Sequence, residues 1–365
     1  MEKNEIVMIH GTDYVDMAIR LCEGVRLDQM IGNKNARIAL KPNLVIAAKA
    51  ETGAVTHPEI VDGVLQYLAS KGFKNVKVTE GSWVGDRTGY AYNESGIAAV
   101  CKKNKIEYVD LQKDSSYTVK THGFDLHLCS SVKETDFLIN LPVLKGHGQT
   151  LVTCSLKNAK GLIPNSEKRR FHTMGLHKPI ALLNTALPRQ FILVDNICGD
   201  LDFEEGGNPV TMNRMFGCID PVLCDAFVCE SMGYTVADIP YIGYAEQLGV
   251  GCADTSTAKI IMLNQPVEQK SLRASRRVQK LAGYAEPKDA CSACYGALIY
   301  AMNRLNDEGY ARYTTEKVCI GQGYKGQECP ERIGVGSCTR GCGRSLTGCP
   351  PKALDMVNFL KENWQ

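Results

Sequence analysis

Short apolar runs alternate with helical patterns through the first 262 residues, and this alternation limits the folds open to the chain. Runs ended by polar or turn residues predict buried strands at ARIALKPN, NVKVTEG, DFLINLP, QFILVDN and AKIIMLN. Between the first two runs, apolar residues recur at helical spacing: Ile60, Val61, Val64, Leu65 and Leu68. Gly72 ends this helix. The spacing predicts βαβ units, and hence an α/β fold with a mostly parallel sheet and flanking helices.

Changes in composition divide the chain into three parts. Residues 1–268 form the predicted α/β domain, 269–288 a basic linker, and 289–365 a small Cys-rich domain. Four of the basic residues of the linker, Arg273, Arg276, Arg277 and Lys280, could share one face of a helix. They indicate either a solvated linker helix or a docking face for an acidic redox partner.

Charge and hydropathy exclude several classes of partner. The 365 residues carry a formal net charge of only +2, which indicates no nucleic-acid partner. No apolar run approaches the roughly 20 residues of a membrane span, and the first residues show no signal-peptide core. We therefore expect a cytoplasmic protein with no membrane partner.

The 16 cysteines are unevenly placed. Nine are scattered before residue 253 and are expected to be small core residues, whereas seven lie among glycines from Cys291 onward. Because a reducing cytoplasm keeps thiols free, this second group predicts metal or redox chemistry rather than disulfides.

Four cysteines of the second group are predicted to ligate one metal group. Cys291 and Cys294 form a C-x-x-C pair at a helix N-terminus, where the helix dipole favours thiolates. Two distant ligands are needed, and Cys338 and Cys349 are the best candidates. Flanking glycines allow close backbone approach, and Pro350 after Cys349 stiffens the turn.

Two alternatives use the other cysteines. A zinc site could combine Cys291 and Cys294 with Cys338 and Cys342. Cys319, Cys329 and Cys342 could form a second, incomplete site, and Cys329, followed by Pro330, could replace one ligand of the first.

The order C-x-x-C, Gly-x-Cys and Gly-Cys-Pro-Pro resembles the proximal-cluster motif of nickel-iron hydrogenase small subunits and of the related complex I subunit. The resemblance covers only the motif. It implies one 4Fe-4S cluster on Cys291, Cys294, Cys338 and Cys349.

A second set of polar residues follows the predicted strands, where ligands bind in parallel sheets. The predicted ligand-binding residues are Lys41, Asn43, Glu80, Asn158, Lys160 and Asp195, with Asp195 and Asn196 ending the ILVDN strand. The predicted catalytic residues are Lys145, His147, Lys157 and His172. So many cations predict a small substrate bearing carboxylate or phosphate, with a histidine moving a proton.

Some of these cations have a simpler interpretation. Lys157 and Lys160 could complement a helix C-terminus before Gly161, and Arg169 and Arg170 are expected to be surface charges.

The segments LKPNLV, HPEIVDGVLQYL, LPVLKGHGQTLVTCSLKNAKGL, ILVDNI and GCIDPVLCDAFVCESMG resemble the family called domain of unknown function 362, over about residues 36–262. Members of this family often carry iron–sulfur segments. The tail of this chain departs from the tandem ferredoxin spacing found in many of them, so the resemblance implies a cluster but not a two-cluster ferredoxin.

Three functions are compatible with these features. The first is an iron–sulfur electron-transfer protein or reductase acting on the anionic ligand, with a ferredoxin-like electron donor. The second is a non-redox lyase or isomerase with a structural or Lewis-acid cluster, and the third is a redox-sensing ligand-binding module. An exposed cluster edge would favour a homodimer or a partner protein.

Overall fold

The computed structural model describes residues 1–265, 276–310 and 315–364, with the side chain of Ser292 left out. Two compact units are present: residues 1–146, 152–169 and 177–273 form the first, and 147–151, 170–176 and 274–365 the second. Residues 269–275 of the predicted linker, including Arg273, lie outside the described residues.

The elements up to residue 262 are, in chain order, β1 (Glu5–His10), α1 (Tyr14–Gly24), α2 (Leu27–Ile31), β2 (Ile38–Pro42), α3 (Pro58–Ser70), β3 (Val76–Glu80), α4 (Thr88–Glu94), α5 (Ile97–Asn104), β4 (Glu107–Asp110), β5 (Ser116–Thr121), β6 (Phe124–Cys129), α6 (Ser130–Lys133), β7 (Phe137–Leu141), β8 (Lys145–His147), β9 (Leu151–Thr153), α7 (Ser155–Asn158), α8 (Asn165–Thr173), α9 (His177–Asn184), β10 (Gln190–Asp200), β11 (Pro209–Cys218), α10 (Pro221–Ser231), α11 (Pro240–Gln247) and β12 (Lys259–Met262).

The remaining elements are α12 (Arg277–Ala282), β13 (Ala285–Pro287), α13 (Ser292–Asp307), β14 (Val318–Ile320), β15 (Cys329–Val335), β16 (Cys342–Leu346) and α14 (Ala353–Asn363). Of the predicted linker, α12 and β13 belong to the second unit. Within the described residues, no helix combines the length and apolar character that crossing a bilayer requires.

The first unit is built on an eight-stranded sheet in the order β12-β1-β11-β10-β7-β2-β3-β4. Strands β10, β7, β2, β3 and β4 run parallel, and only β11 is antiparallel to its neighbours. The predicted α/β fold with a mostly parallel sheet is therefore confirmed. Its consequence for function is that the ends of β2, β3 and β7 lie side by side.

Helix α3 shows why the sequence folds as it does. All five apolar residues that predicted it are buried, and Pro58 occupies its first turn. Gly72 follows the helix at a φ of +82°, a conformation that favours glycine. The predicted helix and its predicted end are both confirmed.

Two strand predictions were wrong in detail. AKIIMLN forms β12, but the side chains of Ile260, Ile261 and Met262 are exposed because β12 is the edge strand of the sheet. The ILVDN strand does not end at Asp195 and Asn196. It continues to Asp200, since residues beyond Asn196 keep pairing with β11 after an irregularity in the register.

The second unit contains a four-stranded parallel sheet in the order β13-β14-β15-β16. Apolar residues of α13 and α14 are buried, including Leu298, Met302, Met356 and Leu360. These buried apolar residues give the Cys-rich segment a hydrophobic core of its own.

Gly63 sets how closely α3 approaches α1. A Cβ atom at this position would lie 2.6 Å from the Val15 carbonyl oxygen and 2.8 Å from the Ala18 Cβ. Gly63→Ala is expected to lower the free energy of unfolding by roughly 1–3 kcal/mol, because overpacking outweighs alanine's helix preference of about 1 kcal/mol.

The matched control is Gly89→Ala, also in a helix, where an added Cβ meets nothing within 4 Å. Both are measured by denaturant unfolding in a Trp364→Phe background, so that Trp83 alone reports on the first unit. Equal midpoints for the two variants would contradict the packing argument.

Candidate functional site

Lys41 and Glu80 form a buried ion pair at the ends of β2 and β3. Lys41 is 0% exposed and its Nζ donates to Glu80 Oε2, to Asn158 Oδ1 (3.2 Å) and to the Pro42 carbonyl oxygen (3.2 Å). Burial lowers the pKa of Lys41 and raises the pKa of Glu80, although the two groups attract each other. The pair is thus stabilised by hydrogen bonds on every Lys41 donor.

The Lys-Asn-x-Lys-Gly sequence has a structural reason. Asn158 ends α7, and its Nδ2 donates to Asn140 Oδ1 (2.8 Å) and to the Lys41 carbonyl oxygen (3.3 Å). A Cβ atom on Gly161 would lie 2.1 Å from Glu80 Oε1. Only glycine therefore lets this segment pass against Glu80.

Lys145 is held by a second group of acceptors. Its Nζ donates to Asn43 Oδ1 (3.2 Å), to the Ala54 carbonyl oxygen and to the Glu204 carbonyl oxygen (2.9 Å). The loop carrying Glu204 is organised by Asp200, whose carboxylate accepts three backbone N–H groups. The predicted site residues Asn43 and Lys145 are therefore in contact.

Five lysines make up what we call the lysine cluster: Lys41, Lys145, Lys157, Lys160 and Lys168. Neighbouring members repel each other in four pairs: Lys145 and Lys157, Lys157 and Lys160, Lys160 and Lys168, and Lys168 and Lys41. Lys168 also donates to the carbonyl oxygens of Gly81 and Ser82 (2.8 Å each).

Like charges and burial both act on the protonation of this cluster. Burial, with repulsion from Lys157, lowers the pKa of Lys145 to about 7. Burial lowers the pKa values of Lys157 and Lys168 to about 8 each, and it lowers the pKa of Lys160. The neighbouring carboxylates, Glu80 and Glu204 among them, do not restore the ordinary values, so a bound anion would be stabilised here.

Lys157 has donor capacity left for a ligand. Among the described residues its Nζ donates one hydrogen bond, to Thr153 Oγ1 (3.2 Å). An ammonium group has three donors, so two remain for an anion.

Asp195 has a different environment from the one predicted. Its carboxylate accepts from the His57 backbone N–H (2.8 Å) and pairs with His57 Nδ1 (2.8 Å). Burial opposes charge on this ring, but Asp195 outweighs it and raises the pKa of His57 to about 11. The structure thus places Asp195 against His57, a buried histidine that directly precedes α3.

The two predicted catalytic histidines belong to the second unit. His147 is buried, and its Nδ1 accepts from the backbone N–H groups of Gln149 (2.9 Å) and Thr150 (3.2 Å). His172 lies in the last turn of α8. These contacts show that the His147 ring stabilises the turn that follows it.

Lys168, His57 and Glu204 were missed as site residues. Lys168 directly precedes Arg169 and Arg170, which were expected to be surface charges, and Glu204 lies in an acidic stretch before two glycines. His57 directly precedes the Pro58 that starts α3, which marks it as a helix-entry residue but not as a partner of Asp195.

The four cysteines predicted as metal ligands come together in the second unit. Cys291 precedes α13 and Cys294 lies in its first turn. The Cys294 thiol interacts electrostatically with Cys291, Cys349 and Cys338. Burial is the main cause that raises the pKa of Cys294 to about 12, and these thiols add to it. A bound cation would lower the pKa values of these crowded thiols and favour their thiolate forms.

The loops that carry Cys338 and Cys349 are tied to each other. The Ser337 N–H donates to the Gly348 carbonyl oxygen (2.8 Å), and the Gly348 N–H donates to Ser337 Oγ (3.1 Å). Gly336, at a φ of +96°, lies next to Cys294, whose Sγ would be 3.8 Å from an added Cβ. Gln322 Nε2 donates to Cys291 Sγ (3.3 Å).

The spread of these thiols fits a group larger than one ion. Among the described residues, the one set of three or more candidate metal-ligand atoms within 4.8 Å of one another is Cys154, Cys224 and Asp225. Zinc–sulfur bonds of about 2.3 Å would hold thiolates closer than that. Four converging thiols, glycine loops and a sulfur-directed amide fit an iron–sulfur cluster.

All five residues of the lysine cluster lie within the part of the chain that matches a known family. The family described as "Domain of unknown function (DUF362)" matches residues 38–230, which include Lys41, Glu80 and the Lys157–Gly161 segment. The chain belongs to the DUF362 family. The sequence-based resemblance is thereby confirmed, and the four converging cysteines lie outside the matched residues.

A thylakoid-associated protein of Synechocystis sp. is 30% identical to the DUF362 chain over 226 residues, which cover 59% of this chain and 68% of the relative. Among solved structures, the lactate racemase apoprotein of Thermoanaerobacterium thermosaccharolyticum matches with a TM-score of 0.40 and 13% identity, over 66% of this chain and 56% of that one. A Thermotoga maritima protein matches with a TM-score of 0.37 and 11% identity, over 80% and 79%. Likenesses this weak carry no functional argument.

The lowered pKa of Lys145 predicts a specific pH dependence of stability. The ordinary value is 10.5 and the folded value about 7, so between these values the unfolded chain binds more protons and stability rises with pH. Lys145→Met removes this contribution. The free energy of unfolding of the unchanged protein minus that of Lys145→Met is therefore expected to rise, by an amount on the order of 4 kcal/mol, from pH 7 to above 10.

The measurement is denaturant unfolding across this pH range in the Trp364→Phe background. The exposed Lys74→Met is the control and should give a pH-independent difference. A constant difference for Lys145→Met as well would show that Lys145 keeps its ordinary pKa in the folded state.

Proposed function

We propose that this DUF362 protein is an iron–sulfur electron-transfer protein or reductase that binds a small ligand bearing carboxylate or phosphate. The observation that carries the ligand class is the lysine cluster, in which five amines interact electrostatically beside fewer carboxylates. An anion would satisfy the ammonium donors and offset their repulsion.

Different residues of the lysine cluster would contact the anion and hold the site in place. Lys157 and Lys160 would contact the anion, and the Lys41–Glu80 pair with Asn158 would hold the floor of the site in place. Because the amines of Lys145 and Lys157 titrate close to neutrality, ligand binding would draw protons onto them. Affinity is therefore expected to fall as the pH rises above 8.

Cys291, Cys294, Cys338 and Cys349 would hold a 4Fe-4S cluster. Their convergence and the paired glycine loops support this part of the proposal. A cluster bound there would supply one-electron reduction. A ferredoxin-like protein is the class of donor that such a cluster would accept electrons from.

A second candidate, a lyase or isomerase, is favoured by one observation. Lys145 has a pKa of about 7, which suits a general acid or base near neutral pH. Proton transfer leaves the oxidation state of the ligand unchanged, so conversion of a hydroxy acid without any reductant would favour this candidate over the reductase.

Metal analysis tests the cluster. Protein purified without oxygen is expected to contain about four irons and four acid-labile sulfides per chain, with visible absorbance that bleaches with dithionite. Cys294→Ser and Cys349→Ser should lose most of both, because each removes a ligand. Cys252→Ser, at an exposed cysteine outside the group, should keep them. One zinc without sulfide would contradict the proposal.

Calorimetric titration with inorganic phosphate and with malonate tests the lysine cluster. Lys157→Met is expected to weaken binding of at least one of these anions about tenfold or more, since hydrogen bonds to charged groups contribute about 1.5–3 kcal/mol. Lys74→Met should leave the affinity unchanged. Equal affinities for the unchanged protein and Lys157→Met, or no binding of either anion, would exclude the cluster as the anion site.

A further inference from the structure

Three cysteines outside the proposed ligand set form a separate group, the three-thiol group of Cys319, Cys329 and Cys342. They lie on three successive strands of the second unit's sheet, β14, β15 and β16. Cys329 Sγ is 3.3 Å from Cys342 Sγ, and the Cys342 thiol also hydrogen-bonds with Cys319. The proposed cluster does not use any of them.

The backbone already has the geometry of a disulfide between Cys329 and Cys342. The two residues are direct partners in the β15–β16 register, and the Cys329 N–H donates to the Gly341 carbonyl oxygen (2.8 Å). Paired strands lie about 4.8 Å apart, inside the 4.4–6.8 Å range of Cα separations in disulfides. The bond can therefore form by side-chain rotation without moving either strand.

A glycine makes room for the third thiol. Cys319 is the register partner of Gly334, in the strand between β14 and β16. A Cβ atom on Gly334 would lie 3.0 Å from Cys342 Sγ. Because Gly334 has no side chain, the sulfurs of Cys319 and Cys342 can meet across it.

Burial gives the three thiols different access to solvent. Cys319 is 0% and Cys342 6% exposed, whereas Cys329 is partly exposed. Burial, with the hydrogen bond to Cys329, raises the pKa of Cys342 to about 12. The exposed member is thus the one that an external disulfide can reach, and the buried one stays a thiol until its partner has reacted.

We infer that Cys329 and Cys342 form a dithiol–disulfide site that exchanges with low-molecular-weight disulfides, glutathione disulfide being the example. The Cys329 thiolate attacks one sulfur of the small disulfide, forming a mixed disulfide and releasing one small thiol. Cys342 then attacks Cys329 Sγ and releases the second. One disulfide is broken and one formed, two electrons pass from the protein to the small disulfide, and two protons pass to the two thiols released.

The site lies on the strands that lead to two of the proposed cluster ligands. Strand β15 ends at Val335, just before Gly336 and Cys338, and β16 ends at Leu346, just before Gly348 and Cys349. The inference does not depend on the proposed function, because the exchange needs only the thiols.

Tryptic peptide mapping tests it, since each relevant cysteine falls in its own peptide. Cleavage after lysine and arginine gives peptides 318–325 with Cys319, 326–332 with Cys329, 333–340 with Cys338, 341–344 with Cys342 and 345–352 with Cys349. The intact, metal-loaded protein is equilibrated anaerobically with glutathione at increasing ratios of disulfide to thiol. Free thiols are then alkylated at low pH, and iron is assayed before and after.

The expected result is a linked pair of peptides 326–332 and 341–344 at oxidising ratios, with Cys329 and Cys342 no longer alkylated and the iron content unchanged. Cys319→Ser should retain this link, and Cys329→Ser should abolish it. Cys252, which is exposed and separate from the group, serves as the internal control and should become glutathionylated.

The inference is overturned if both peptides remain singly alkylated while Cys252 is glutathionylated. It is also overturned if Cys329 is recovered only as a mixed disulfide, or if Cys342 is linked to Cys319 instead. The unchanged protein decides between these outcomes, so the test does not depend on the folding of either serine variant.

Discussion

Lys41 and Glu80 form an ion pair from which water is excluded, and much of the polar structure around it follows from that condition. Removing two charges from water is costly, so each remaining donor and acceptor must be satisfied. Asn158 and the Pro42 carbonyl oxygen serve Lys41, and Asn140 in turn fixes Asn158. Gly161 completes the arrangement, because a side chain there would collide with Glu80.

The same pair limits what the neighbouring lysines can do. Glu80 is hydrogen-bonded to Lys41, and its charge also raises the pKa values of Lys145 and Lys168 without restoring their ordinary values. Burial is the main cause of the lowered pKa values of Lys145, Lys157 and Lys168, and the nearby carboxylates only partly oppose it. An incoming anion and incoming protons would therefore bind together, which joins ligand recognition to pH in one physical account.

In the second unit, backbone geometry takes the place of charge. Gly336 and Gly348 let two loops hydrogen-bond and present Cys338 and Cys349 toward the start of α13. On the adjoining strands, Gly334 leaves space for a different set of sulfurs. Different glycines thus lie beside two separate groups of cysteines. One group is proposed to hold a cluster, and the other is proposed to exchange disulfides.

Local pattern predicted α3, the run of parallel strands and the helix that starts at the C-x-x-C pair, because the spacing of apolar residues depends only on nearby sequence. The exposure of β12 and the extension of β10 to Asp200 were not predictable in this way. Both depend on which strands pair at the edge of the sheet and beyond the end of β7.

The sequence by itself determined which chemistry the chain can offer: lysines and amides after parallel strands, and cysteines among glycines. The tertiary structure decided which residues meet. Glu80 reaches Lys41 across 39 positions, and Asp195 reaches His57 across 138. Pairings over such separations are set by the order of strands in the sheet, which no local spacing of residues records.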